Sequence, residues 1–226
     1  MRSALSASRK SPTGLPADDS VSIRAVIFDF GGVLCFHPSK EIFAQAAAHA
    51  RVEPKKLFDA LWKDRLGYDA GQDPYDYWRG VARNAGANFD DPTIARMIEF
   101  EIEFWSRYDD RVFAWINQLR AAGIRTGILS NLPRPLGQRL RDTEGFLNHF
   151  DHVTFSYELG LVKPGRGIYE HAIAGAGVAP EEALFLDDRP ENIQGAIDAG
   201  MRAELFITWE EFVKEMPVRY HLPAPQ

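Results

Sequence analysis

The feature that most constrains the fold is an alternation of two periodicities along the second half of the chain. Short runs of apolar β-formers at 124–129, 152–155, 183–186 and 203–207 are separated by segments with helical spacing. The helical segments are 112–122 (Val112, Trp115, Ile116, Leu119 on one face), 133–143, 165–176, 190–199 and a last one near 209–215. Gly123, Gly177 and Gly200 each follow a helical run, where a helix commonly ends. Upstream, 23–30 (IRAVIFDF) is a further run of β-formers, left abruptly through Gly31-Gly32. Strands that alternate with helices pair in parallel and need helices on both faces. The expected fold class is therefore α/β, a doubly wound parallel sheet.

Between the first strand and the rest lies a stretch without any strand signal. It reads as four helices: 38–51 with Ile42, Phe43, Ala46, Ala47 and Ala50 on one face, 54–66 with Leu57, Phe58, Leu61 and Trp62, and two more. Asp73-Pro74 and Asp91-Pro92 each read as an N-cap followed by proline in the first turn. The expected organisation is an extension over 1–22, an α/β core over 23–36 and 110–216, a helical insert over 37–109, and an irregular, proline-rich tail over 217–226. The first twenty residues lack the apolar stretch of a secretory signal, so a flexible extension is expected there.

Charge and cysteine content narrow the function classes. A net charge of −6 and no Lys/Arg run argue against nucleic acid as a partner. The apolar runs are too short and interrupted to span a membrane. Cys35 is the single cysteine, which excludes an internal disulfide and a cysteine-built metal site and fits a reducing, cytoplasmic setting. Cys35 itself reads as a small filler beyond a strand rather than a nucleophile.

In open parallel sheets, chemistry gathers beyond the carboxyl ends of the strands. Here the polar residues fall at or soon after those ends: Asp29, Ser130-Asn131, Lys163, and Asp187-Asp188. Each has an ordinary reading alone, as a turn former, a cap or a surface charge. Adjacent carboxylates after a buried strand, however, repel unless a cation is near. Taken together the set matches phosphoryl transfer through an aspartyl-phosphate. A carboxylate attacks phosphorus, a hard dication offsets anionic repulsion, hydroxyl and N–H groups hold phosphoryl oxygens, and an ammonium neutralises developing charge.

These four motifs resemble the haloacid dehalogenase (HAD) superfamily over residues 23 to 215. They read Ile27-Phe28-Asp29-Phe30-Gly31-Gly32, Leu129-Ser130-Asn131, Gly160-Leu161-Val162-Lys163-Pro164, and Phe185-Leu186-Asp187-Asp188-Arg189-Pro190-Glu191-Asn192. The resemblance implies a Rossmann-like core, with the insert acting as an α-helical cap that closes over substrate. It implies a phosphatase that needs Mg2+ and takes a small phosphorylated metabolite, acting as a monomer or homodimer. Asp29 is then nucleophile and metal ligand, and the Gly31 carbonyl and Asp188 are further ligands. Asp187 sits in the metal's outer sphere or binds through water. Ser130 and Asn131 hold phosphoryl oxygens, Lys163 pairs with Asp29 and the phosphate, and Asn192 orients the ligands.

The chain departs from the family pattern at Gly31, where most of these phosphatases carry a second Asp that protonates the leaving oxygen. General acid–base help is worth ~10²–10⁴-fold. Three readings stay open. One is a phosphatase for an ester with an easy leaving group, such as a sugar 1-phosphate, since the chain resembles the sugar-1-phosphate phosphatase-like branch that carries glycine at this place, with His37 or a cap residue as another proton source. The second is a 2-haloacid dehalogenase, which releases halide and needs no proton donor, although Asp187-Asp188 argues against it. The third is a protein that binds phosphorylated ligands without turnover. A phosphomutase fits least, since it moves protons in both directions. In the insert, 68–72 (YDAGQ) is a candidate loop facing the site. Trp62, Tyr77, Trp78, Phe100, Phe104 and Trp105 read mostly as the insert's own core, and Arg134 as an exposed arginine.

Overall fold

The computed structural model describes residues 21–225, so the extension expected over 1–22 lies, up to residue 20, outside the described residues. Five strands form one parallel sheet in the order β3-β2-β1-β4-β5. They are β1 (Ala25–Phe28), β2 (Arg125–Ser130), β3 (His152–Phe155), β4 (Ala183–Asp187) and β5 (Arg202–Leu205). β1 is central, in register with β2 through Phe28 opposite Ile128 and with β4 through Phe28 opposite Leu186. β1 and β4 are buried throughout, as continuous apolar strands covered on both faces should be.

The alternation of side chains along these strands divides the core in two. Val26, Phe28, Ile128, Leu184 and Leu186 point to one face. There they pack on α6 (Asp110–Ala121), α7 (Arg134–Asp142) and α11 (Trp209–Arg219) through Trp115, Leu119, Leu136 and Phe212. Ala25, Ile27, Leu129 and Phe185 point to the other, against Ile168, Tyr169, Ile193 and Ala196 of α9 (Arg166–Ala176) and α10 (Pro190–Asp198). A doubly wound sheet follows from this pattern.

Between β1 and α6 stand α1 (Lys40–Ala50), α2 (Pro54–Lys63), α3 (Arg65–Asp69), α4 (Pro74–Asn84) and α5 (Asp91–Phe104). They have an apolar cluster of their own around Ala46, Leu57, Trp78, Ile94 and Met97. The chain leaves and re-enters the core side by side: the Phe36 N–H donates to the Arg107 carbonyl at 2.9 Å, and the Asp109 N–H to the Leu34 carbonyl at 3.0 Å.

The helices depart from the expected ones in four places. The run 54–66 breaks at Asp64, so the insert has five helices rather than four. The cap before Pro92 is Asp90, whose carboxylate accepts from the Thr93 N–H at 2.9 Å, rather than Asp91. A one-turn helix α8 (Ser156–Leu159) follows β3 directly. The last helix runs through Pro217 to Arg219, so the tail expected to be irregular from 217 starts three residues late. Proline forfeits one hydrogen bond there, and buried Phe212 and Pro217 still hold the helix to the core. Among the described residues no helix is long and apolar enough to cross a membrane.

Candidate active site

Asp29 stands one residue beyond β1, and its N–H still donates to the Leu186 carbonyl at 2.9 Å, extending the ladder with β4. Ser130 closes β2 on one side of it, and Asp187 closes β4 on the other. Parallel register therefore brings hydroxyl and carboxylates to one edge of the sheet. The loop after Asp29 is tight. The Gly32 N–H donates to the Cys35 carbonyl at 2.8 Å, and the Leu34 N–H to the Phe30 carbonyl at 2.9 Å. Gly32 has φ +77, and a Cβ there would lie 2.6 Å from Asp188 Oδ2. Both backbone conformation and space therefore require glycine.

Lys163 is the centre of the arrangement. Its side chain is 1% exposed, and Nζ lies 2.8 Å from Asp29 Oδ1 and 2.6 Å from Asp187 Oδ2. It also donates to the Leu129 carbonyl at 3.2 Å, so all three ammonium protons have acceptors. Burial alone would lower its pKa, but Asp187 and Asp29 outweigh that and hold it above the ordinary lysine value. Asp29 moves the other way from a simple ion pair. Burial pushes its carboxyl up to about 7, Lys163 pulls it back, and Asp187 and Asp188 push it up again. The two shifts agree once charges are counted: several carboxylates share one ammonium.

Asp187 is fully buried and its lone pairs are spoken for. Besides Lys163, it accepts from the Arg189 N–H at 2.9 Å and from Asn192 Nδ2 at 3.0 Å. Asp188 is more open and faces His37, with Nε2 to Oδ2 at 3.1 Å. That hydrogen bond raises the His37 pKa, against a smaller opposing effect of burial. Carboxylate oxygens of Asp29, Asp187 and Asp188 lie within 4.8 Å of one another. Three carboxylates against one lysine leave an excess of negative charge in a largely buried place, and the donors are all hard oxygens. That donor set suits a divalent cation of the magnesium kind. With Asp187 occupied, Asp29 and Asp188 are the carboxylates with capacity for it.

Thus Asp29, Lys163, Asp187, Asp188 and Asn192 come together, and Ser130, 2% exposed, lies on the neighbouring strand end. Asn131 does something the sequence did not suggest. Its side-chain amide is engaged at both ends by the Lys163 main chain. Cys35 is buried, and burial raises its thiol pKa far above the ordinary range, in keeping with a filler. Arg134 is exposed over the Tyr157 ring, 5.6 Å away.

The segment 68–72 is half helix, half turn. The Ser156 hydroxyl, fully buried, donates to the Asp69 carbonyl at 2.6 Å and accepts from the Leu132 N–H at 3.0 Å. It ties the insert to the loop after Ser130-Asn131. A serine after a strand carries no sequence signal for this. Of the aromatic set, Tyr77, Trp78, Phe100 and Phe104 are insert core, whereas Trp62 is 45% exposed. Trp105 packs against both the insert's cluster and the sheet's. A Cβ on Gly31 would meet its Cζ3 at 2.9 Å.

Residues 23–200 match the haloacid dehalogenase-like hydrolase family. A glyceraldehyde 3-phosphate phosphatase of Methanopyrus kandleri is 26% identical over 198 residues, covering 79% of this chain and 82% of the relative. In fold the chain is similar to a HAD-family enzyme of Bacteroides thetaiotaomicron, solved with magnesium and inorganic phosphate. That pair aligns at 18% identity and TM-score 0.67 over 81% of this chain and 94% of the other. The chain is also similar in fold to the L-2-haloacid dehalogenase of Xanthobacter autotrophicus, at 23% identity and TM-score 0.60, over 87% and 83% of the two chains. The family match runs from the first strand to Gly200, just past α10, and so takes in β1 to β4 and the insert; this chain belongs to the haloacid dehalogenase-like hydrolase family.

Proposed function

We propose that the chain is a magnesium-dependent phosphatase that hydrolyses a small phosphate monoester through a phospho-Asp29 intermediate. The observation that carries this reading is the buried lysine shared by Asp29 and Asp187, with Asp188 beside them. A carboxylate in ion contact with a buried ammonium is held in place, and the ammonium favours its anionic form against the burial that pushes it up to about 7. The excess carboxylate charge calls for a dication, which a halide-displacing enzyme has no use for. The phosphatase relative at 26% identity supports the same class.

Asp29 attacks phosphorus as the bond to the ester oxygen breaks. The Lys163 ammonium offsets the charge on Asp29 and on the transferring group. Ser130 binds a phosphoryl oxygen at the end of β2. Asn131 contributes by fixing Lys163 rather than by touching phosphate. Asp187 and Asn192 hold the other side of Lys163, so the ammonium cannot swing away. Asp29 and Asp188, with the Gly31 carbonyl, would hold the magnesium ion, which when bound neutralises phosphoryl charge and aligns it with Asp29. Gly31 offers no proton, so the leaving oxygen takes one from water and hydroxide remains. A second water then bonds to phosphorus as the Asp29–phosphorus bond breaks, its proton returns the hydroxide to water, and inorganic phosphate departs. An ester whose oxygen leaves readily, such as a sugar 1-phosphate, suits a site built this way. The helices over 37–109 act as the cap that excludes bulk water, and the cytoplasm is the compartment.

The test is release of inorganic phosphate from sugar 1-phosphates, sugar 6-phosphates, phosphoglycolate and p-nitrophenyl phosphate, with magnesium and with EDTA. Magnesium-dependent release that Asp29→Asn abolishes is expected. Halide release from 2-chloropropionate in EDTA would replace this reading by the dehalogenase one, and no turnover of any substrate would leave a phospho-ligand binder.

A further inference from the structure

We propose that Trp105 is the wall against which the leaving group packs, and that it selects phosphate esters whose alcohol presents an apolar or flat face. The inference rests on Asp29 being the nucleophile at phosphorus. Trp105 follows α5 and is half-buried. Its indole packs against the sheet's apolar cluster and against the insert's, so it stands on the seam between them. A Cβ on Gly31 would lie 2.9 Å from its Cζ3 and 3.4 Å from Cε3 and Cη2. The six-membered ring thus rests directly on the backbone two residues after the nucleophile. The His37 ring is 6.0 Å away, centre to centre.

In-line displacement places the leaving oxygen opposite the attacking carboxylate. Asp29 attacks from the sheet edge, so the alcohol points toward the insert, and there the indole lies beside Gly31. A ring at that place meets carbon rather than phosphoryl oxygen. The same contact accounts for Gly31. An Asp at that position would have to displace the indole, so the residue that would protonate the leaving oxygen and the residue that would hold its carbon skeleton compete for one space. Apolar pockets of this kind discriminate by about 10–200-fold per methylene.

The experiment compares phenyl phosphate with acetyl phosphate, whose small leaving group needs no protonation, and uses inorganic phosphate as a product inhibitor. Trp105→Ala should raise KM for phenyl phosphate about tenfold or more. Acetyl phosphate kinetics and phosphate inhibition should stay within about twofold. Trp105→Phe, the milder variant, should shift the same ratio in the same direction by less. Gly31→Asp should lose activity toward both substrates, and the pair Gly31→Asp/Trp105→Ala should recover about tenfold or more of it. Equal losses on both substrates in Trp105→Ala and Trp105→Phe, or no recovery in the pair, would reduce Trp105 to packing and overturn the inference while the phosphatase reading stands. Turnover of neither substrate by the unmodified protein, or undiminished turnover by Asp29→Asn, would instead overturn the reading beneath it.

Discussion

The side-chain amide of Asn131 holds the main chain of Lys163 at both ends: Oδ1 accepts from the Lys163 N–H at 2.8 Å, and Nδ2 donates to the Lys163 carbonyl at 3.0 Å. The residue that follows the β2 serine therefore sets the height of the lysine across the sheet edge. Asn131→Ala removes both bonds and leaves a peptide group without partners, at about 1–3 kcal/mol of stability. A displacement of the ammonium by about 1 Å is expected to lower kcat about 100-fold. Asn131→Asp keeps the acceptor and loses the donor, so it should fall between. Steady-state kinetics of the two variants check this, and an unchanged kcat in Asn131→Ala would detach the clamp from catalysis.

Lys163 has a second consequence, for folding. It is the ammonium that Asp29 and Asp187 share in a site that is 1% exposed on its side. Breaking such a pair from one end leaves buried, uncompensated charge and costs about 3–5 kcal/mol. Lys163→Met should lower urea stability by that order, and added magnesium should restore part of it by supplying the missing positive charge. Lys163→Arg should not rescue activity, since a planar guanidinium does not fit acceptors arranged around a single ammonium. A Met variant as stable as the parent would mean that the carboxylates are neutral when folded.

The strands and the residues at their ends were legible because burial on both faces demands continuous apolar runs, and polar residues that end such runs stand out. Asp29, Asp187 and Asp188 were readable for that reason, whereas Lys163 lies beyond α8 and was readable only together with the other motifs. The roles that depend on what meets across the fold were not. The clamp of the Asn131 amide on the Lys163 main chain was hidden because amide chemistry suits a peptide group as well as it suits phosphate. Ser156 and Trp105 act through contacts with residues 87 and about 70 positions away, the former by a hydrogen bond to the Asp69 carbonyl and the latter by lying on Gly31. No local period encodes such distances. The break at Asp64 was invisible for a different reason: α2 and α3 share one apolar rhythm, and the turn between them changes direction without changing pattern.

Magnesium binding should depend on pH, with a definite sign. Burial pushes Asp29 up to about 7, and the hydrogen bond from His37 to Asp188 strengthens as His37 protonates. Both protons oppose a cation. Affinity should therefore rise as pH increases through about 7, approaching tenfold per unit below it, and binding should release protons. Calorimetry in buffers of different ionisation enthalpy measures both. Asp188→Asn should weaken binding at every pH, and His37→Asn should flatten the acidic limb. Affinity independent of pH from 5.5 to 8 would separate the ion from Asp29 and Asp188.

The insert carries a buried charge problem that yields the last prediction. Arg65 pairs with Asp69, Nε to Oδ1 at 2.8 Å, and also with Glu101. Two carboxylates share one guanidinium, and burial, opposed by Arg65, pushes Asp69 up to about 6 from 3.8. The folded state thus holds this proton more tightly than the unfolded chain. Its contribution to stability is greatest below about pH 4, declines by on the order of 3 kcal/mol as pH rises between about 4 and 6, and is constant above. Asp69→Asn keeps a hydrogen-bonding oxygen for Arg65 and leaves a neutral Arg65–Glu101 pair. It should flatten the decline and equal or exceed the parent in stability above pH 6. Urea unfolding at half-unit intervals from pH 4 to 7 reads this directly. An unchanged slope in Asp69→Asn would show that the shared guanidinium already holds both carboxylates ionised, and that the charge excess lies elsewhere in the molecule.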